Sequence, residues 1–196
     1  MIQSKKELLY YIRQDKIANG KNEVSFASWL KNIFAPDLIM KYLVLLRKTE
    51  YYCNVGNKSV IFKIKSYIYR YRLHNLGIRL GYSIPINVFG AGLSLPHSGT
   101  IVVSVNAKVG EFCRLHVGVN IGASGGNPHA PIIGNNVYIG PGAILFGEIK
   151  IADNVTIGAN ATVNKDCDKT NVVLAGTPAK IVKEDYPNWI TFNKVI

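Results

Sequence analysis

Between Glu50 and Glu111 the 196-residue chain has no aspartate or glutamate. Acids are scarce overall, 12 against 23 lysines and arginines, and the deficit is concentrated in residues 1–80, where 15 basic side chains meet 5 acidic ones. Such one-sided charge bears on partners rather than on fold. No nucleic-acid recognition motif accompanies it, so nucleic acid is not expected as a partner. Cysteine is equally sparse: Cys53, Cys113 and Cys167 make an odd set with no secretory signal before them, which excludes a disulfide framework and suggests a reducing compartment. Long apolar runs are missing too. The longest, LIMKYLVLL at 38–46, is interrupted by Lys41 and is too short to span a bilayer. A cytoplasmic protein, at most peripheral to the inner face of the membrane, is the expectation.

What is present falls into two halves with different patterning. Residues 1–80 read as a basic helical region. SKKE at 4–7 fits a capping box, and Leu8, Leu9, Ile12 and Ile17 approximate a stripe that Asn19-Gly20 stops. SFASWLKNIF predicts a second helix ending before Pro36, and Pro36-Asp37 opens a third. SVIFKIKSYIYRYRLHNLG (59–77) predicts a fourth, although its Val, Ile, Phe and Tyr also suit strands. This basic, tyrosine-rich segment is read as a helix packed on the base of the solenoid with solvated charges. Its other reading is a dock for an anionic polysaccharide or for membrane headgroups.

From Val109 onward the chain divides into sixes: VGEFCR, LHVGVN, IGASGG, NPHAPI, IGNNVY, IGPGAI, LFGEIK, IADNVT, IGANAT, VNKDCD. The first position is aliphatic in nine of the ten and the second is glycine in five. Neither a helical nor a strand period gives this pattern; a fixed repeat means a solenoid. Three six-residue legs make a triangular coil of a parallel β-helix, with the first and fifth positions inward. Glycine at the second position suits a corner where a Cβ would clash or φ is positive. Cys113 and Cys167 both hold fifth positions. At three coils' separation, roughly 14 Å by strand spacing, they are too far apart to pair. ASGGNPHAP (123–131) breaks the pattern as a projecting loop. The expected layout is a helical region at 1–80, a β-helix at 81–184 and a tail at 185–196.

The hexads, the closing LAGTPAKIVK (174–183) and PHSGTIVVS (96–104) together resemble the left-handed β-helix, hexapeptide-repeat acyltransferases. The similarity runs over roughly residues 80–184. It lies with the serine acetyltransferase-like branch and is closest to the O-acetyltransferases of surface or capsular polysaccharides. It implies a left-handed coil, acetyl-CoA as donor, no metal, and a homotrimer with sites between neighbouring solenoids. It also implies His97 as general base, since imidazole titrates near neutrality and takes a proton from an attacking hydroxyl. By position, the groove for CoA is expected from Gly122, Ala123, Gly140, Pro141, Gly158, Ala159, Thr177 and Lys180. Amides at the glycine corners would also serve the oxyanion. Pro141 offers no amide hydrogen, so only its carbonyl or ring would line the groove.

Departures from that branch bear on the acceptor. The aspartate that precedes the catalytic histidine there is Pro96 here, and the aspartate fifteen residues before it is Tyr82. In the loop His129 follows Pro128, not an arginine. A zwitterionic serine needs charge partners, so the sequence favours O-acetylation of a sugar or surface polysaccharide hydroxyl, with serine O-acetyltransferase of cysteine biosynthesis as the alternative. His116, nineteen residues after His97, and His129 are candidates to line the acceptor site with Tyr82; His74 is read as structural. A non-catalytic scaffold and a zinc carbonic anhydrase-like site built from His97, His116 and His129 are the remaining, less favoured readings.

Overall fold

The computed structural model describes residues 1–21, 34–56 and 59–193, so the helix expected over 25–34 lies almost wholly outside the described residues. Helix α1 (Lys5–Ala18) starts with the expected capping box. Ser4 Oγ accepts from the Glu7 amide at 3.1 Å and Glu7 Oε2 accepts from the Ser4 amide at 3.0 Å. The predicted stripe is corrected in detail: Leu9 is exposed, and the buried positions are Leu8, Asp15 and Ala18. Asp15 points inward because its carboxylate bonds Arg47 and the opening coil. Helix α2 (Leu38–Asn54) is capped by Asp37, whose Oδ1 accepts from the Met40 amide at 3.0 Å. Helix α3 (Val60–Leu80) continues three residues past the expected end, to a left-handed Gly81. A Cβ on Gly81 would lie 2.9 Å from the Gly99 carbonyl carbon, so the turn requires glycine.

Tertiary packing overrides the strand-like composition of α3. Ser66, Leu73, Gly77 and Leu80 are buried, and Lys63, Lys65, Arg70, Arg72 and Arg79 are solvated as expected. Ile61, Ile64, Tyr67, Ile68 and Tyr71 are exposed as well. Among the described residues no helix is long and apolar enough to cross a membrane.

After Gly81 the chain visits three parallel sheets in strict rotation. The first holds β1 (Tyr82–Ser83), β2 (Ile101–Val103), β5 (Asn120–Gly122), β8 (Ile144–Phe146) and β11 (Thr162–Val163). The second holds β3 (Lys108–Val109), β6 (Ile132–Ile133) and β9 (Lys150–Ile151). The third holds β4 (Arg114–Leu115), β7 (Tyr138–Ile139), β10 (Thr156–Ile157) and β12 (Val173–Ala175), closed by an antiparallel β13 (Lys180–Lys183). Single bridges from Phe89 to Val109 and from Ser94 to Arg114 start the second and third sheets, so residues 82–94 form the opening coil.

The first and fifth hexad positions are the core. Leu115, Ile121, Ile139, Leu145 and Ile157 are fully buried, and so are Val137, Ala143, Val155 and Ala161. The second-position glycines have ordinary φ; outside the loop the left-handed residues of the hexads, Gly147 apart, are at the fourth position: Phe112, Gly118, Asn136, Gly142, Asn154 and Asn160. The second position needs glycine for space: a Cβ on Gly140 would sit 2.8 Å from the Ala159 nitrogen one coil on.

The loop lengthens one coil by a whole hexad, so Val109 pairs with Ile133 whereas Ile133 pairs with Ile151. This shifts the later hexads by one side of the triangle. Cys113 and Cys167 are buried and free as expected, but they stand on different sides and not one above the other.

A buried polar cluster ties the helices to the opening coil. Arg47 is fully buried and bonds Asp15 at 2.8 Å, Glu50 at 3.0 Å, and the carbonyls of Phe89 and Gly90 at 3.0 and 2.6 Å. Burial pushes its guanidinium down, but Asp15 and Glu50 outweigh that and hold it protonated. Asp15 also accepts from the Gly92 and Leu93 amides, both at 2.9 Å. The C-terminal segment returns along the coil to a short helix α4 (Trp189–Asn193), where the buried Trp189 donates to the Phe112 carbonyl at 2.9 Å.

Candidate active site

His97 is exposed, two residues beyond a strongly anchored segment, 93–95. Asn19, expected only to stop a helix, holds that segment from the side: its Nδ2 donates to the Leu93 carbonyl at 2.9 Å and its Oδ1 accepts from the Leu95 amide at 3.0 Å. On the far side the Gly99 amide donates to the Leu80 carbonyl at 2.9 Å, fixing the turn to the end of α3. Tyr82 bonds the His97 backbone and not its ring. Its hydroxyl donates to the backbone carbonyl of His97 at 2.7 Å while its ring packs edge-on against Tyr42. Burial, with Asp37 adding to it, pushes the phenol up to about 12, so it remains a donor at neutral pH.

His116 comes next to His97, with ring centroids 6.1 Å apart, and stacks toward Tyr138 at 4.9 Å. Arg114 Nε donates to His116 Nε2 at 3.4 Å, which requires the proton of the neutral ring on Nδ1. Burial, then the charges of Arg114 and His97, lower the His116 pKa to about 4. The Arg114 guanidinium lies over the Trp189 ring, 5.3 Å from its centroid.

Next to this group is a cleft of about 370 Å³ between α1, α2 and the opening coil. Asn19, Lys21, Asp37, Met40, Pro96 and Arg114 are among the residues that line it. Lys21 pairs with Asp37 at 3.3 Å, so the cleft presents a carboxylate and two cations immediately before His97. Sequence reading missed both Asp37 and Arg114. Their only signals are a cap after Pro36 and a basic residue preceding an inward leucine, and neither announces a site.

The positions expected to form one CoA groove divide between two corners. The corner between the third and first sheets is a continuous column. The Gly118 amide donates to the Thr100 carbonyl at 2.7 Å, Gly142 to Val117 at 2.9 Å, and Asn160 to Pro141 at 2.9 Å. Thr177 closes the column with a bond from Oγ1 to Thr162 Oγ1 at 3.1 Å. Gly140, Pro141, Gly158, Ala159 and Thr177 therefore share an edge with His97 and His116, and the exposed Lys180 follows at its far end. Gly122 and Ala123 stand on the next corner, after the first sheet, where the Gly147 amide donates to the Gly122 carbonyl at 3.1 Å. His129 is exposed on the loop beyond them. The extra hexad is the reason for the split.

The amides of Gly140 and Gly158 donate to the Ile157 and Leu174 carbonyls, both at 2.8 Å. They support close stacking and are not available to a ligand or an oxyanion. The Pro141 carbonyl is likewise engaged by Asn160, which leaves its exposed ring to line the edge. No group of three or more His, Cys, Asp or Glu side chains converges as a metal site among the described residues.

Residues 130–165 match the family model described as bacterial transferase hexapeptide (six repeats). The chain is 36% identical over 106 residues to the serine acetyltransferase of Mycobacterium tuberculosis, covering 53% of this chain and 46% of that one. The chain spans about half the length of the curated relatives it matches. The whole fold superimposes on a crystal structure of serine acetyltransferase from Brucella abortus strain S19 with a TM-score of 0.71, at 24% identity, over 91% of this chain and 70% of that one. The same organism's enzyme in complex with coenzyme A gives a TM-score of 0.72 at 22% identity, over 94% and 71%. Both likenesses include the helices, so the helical region and the hexapeptide-repeat coil recur together.

Proposed function

We propose that this protein is an acetyl-CoA-dependent serine O-acetyltransferase. The observation that carries this reading is the charged cleft beside Pro96, built on a coil whose sequence relatives are named serine acetyltransferases. Pro96, Tyr82 and Pro128 pointed to a sugar hydroxyl because they stand where charge partners for serine were expected. The cleft supplies one from another element, Asp37, and a cation from Arg114. The acceptor therefore moves from sugar to serine. A polysaccharide branch has no support from the relatives from Mycobacterium tuberculosis, Synechococcus elongatus and Helicobacter pylori, which are named serine acetyltransferases.

His97 takes the proton of the serine hydroxyl as that oxygen attacks the thioester carbonyl carbon. The carbon–sulfur bond then breaks, and the imidazolium returns the proton to the departing thiolate. The products are O-acetylserine and free CoA. Tyr82 holds the His97 backbone from below, and neutral His116 keeps a second positive charge away from the base. The CoA chain follows the edge from His97 past Pro141 and Ala159 to Thr177, and Lys180 meets a phosphate as a point charge. The coil is left-handed and the assembly a homotrimer. The exposed aliphatic residues Val102 and Ile144 on the outer face of the first sheet support a packed neighbour there.

The test is thiol release from acetyl-CoA with L-serine, compared with sugar acceptors, in wild type and His97→Ala. Serine-dependent release that falls about 100- to 10,000-fold in the variant is expected. Release that depends on a sugar and not on serine, or that is undiminished in His97→Ala, overturns the reading.

A further inference from the structure

Arg114 differs from Arg47 in its partners. It is a half-buried arginine without a carboxylate partner among the described residues, whereas the buried Arg47 has two. Its surroundings fix it in place. The backbone bridges to Ser94, Nε is engaged by His116, and Trp189 covers one face of the guanidinium. The Nη nitrogens carry the remaining donors of a planar fork that matches a carboxylate. Arg114 also lines the cleft that reaches Pro96, and through His116 it is joined to the ring nearest His97.

We propose that Arg114 is the residue that reads the carboxylate of the acceptor, so that the site selects hydroxy-amino acids over neutral alcohols. This rests on the acetyl-transfer reading above. The loop offers no arginine for the task, since Pro128 precedes His129. Arg114 comes instead from the coil itself, one residue before the inward Leu115, and a carboxylate held there leaves the serine hydroxyl free to turn toward His97. Trp189 makes the subsite depend on the C-terminal helix, because the indole holds the guanidinium flat while its own Nε1 is anchored on Phe112.

The experiment compares L-serine with L-serinamide, which keeps the hydroxyl and ammonium and lacks the negative charge, in wild type, Arg114→Gln and Arg114→Lys. Wild type should favour serine. R114Q, whose amide can still bond His116, should raise the KM for serine about 10- to 100-fold. It should leave the KM for acetyl-CoA unchanged and lower turnover of serine far more than turnover of serinamide, erasing the preference. R114K should keep part of the preference, because the charge remains and the fork is lost. An equal loss for both acceptors in R114Q, or a preference that survives it, overturns the assignment. Should R114Q fail to fold, R114K decides alone: an undiminished preference for serine overturns the proposal. No serine-dependent turnover in wild type would defeat the acetyl-transfer reading beneath it, a different result from a wild type that uses serine without needing Arg114.

Discussion

The helical region and the coil reach stability by opposite means. The coil repeats one solution: an aliphatic side chain at the first position of each hexad stacks on its equivalents in neighbouring coils, as Ile121 does on Leu145 and Leu145 on Val163. The helical region depends on contacts that occur once. Arg47, Asp15, Glu50 and Asn19 reach the opening coil by bonds that no other part of the chain duplicates. A repeated core tolerates local damage because each layer has neighbours on both sides. A single buried ion cluster has no such reserve, since removing one partner leaves the others charged and dry.

The sharpest way to break this contrast is Arg47→Met, which leaves Asp15 and Glu50 buried without their cation. A loss of about 3–5 kcal/mol is expected in denaturant unfolding, with the helical signal lost first. A loss below 1 kcal/mol would show that the cluster is replaceable. Leu145→Ala tests the other side. It should cost about 2–5 kcal/mol for the cavity, toward the lower end, since the stack above and below can relax, and it should leave the helices docked. Unfolding of the helices ahead of the coil in this variant would contradict the division. The smallest effect is a pH dependence at the junction of the two regions. The unfolded chain takes up a proton on His116 below about 6.5, whereas the folded protein does so only near 4. Across that window the unfolded state binds more protons, so stability falls as pH falls. His116→Gln should flatten the slope between pH 6.5 and 4; an unchanged slope would place the titration elsewhere.

The same contrast decides what could be read from the sequence. The hexads, the capping box at Ser4–Glu7 and the stop at Asn19 are local patterns, visible within a few residues, and the structure contains each of them. The cluster around Arg47 joins residues 32 and 77 apart through Asp15, and no window shows it. The two-corner arrangement of the proposed groove was hidden for a different reason. Counting in sixes keeps the phase of the inward positions, but an inserted hexad moves every later one to the next side of the triangle, so Gly122 and Gly140 look equivalent and are not. His97 could be singled out from its segment; the carbonyl contact from Tyr82 and the cleft with Arg114 and Asp37 required three dimensions.

The return of the C-terminal segment has a consequence for how the molecule comes apart. An open solenoid frays from its last coil inward, each layer peeling with little memory of the first. Here Asn188 bonds Asn154 and Trp189 bonds Phe112, so the segment after the final coil is strapped back across earlier ones. Peeling the end means releasing the strap, and releasing the strap uncovers Arg114. Loss of the final turn and loss of the proposed Arg114 subsite thus become one event.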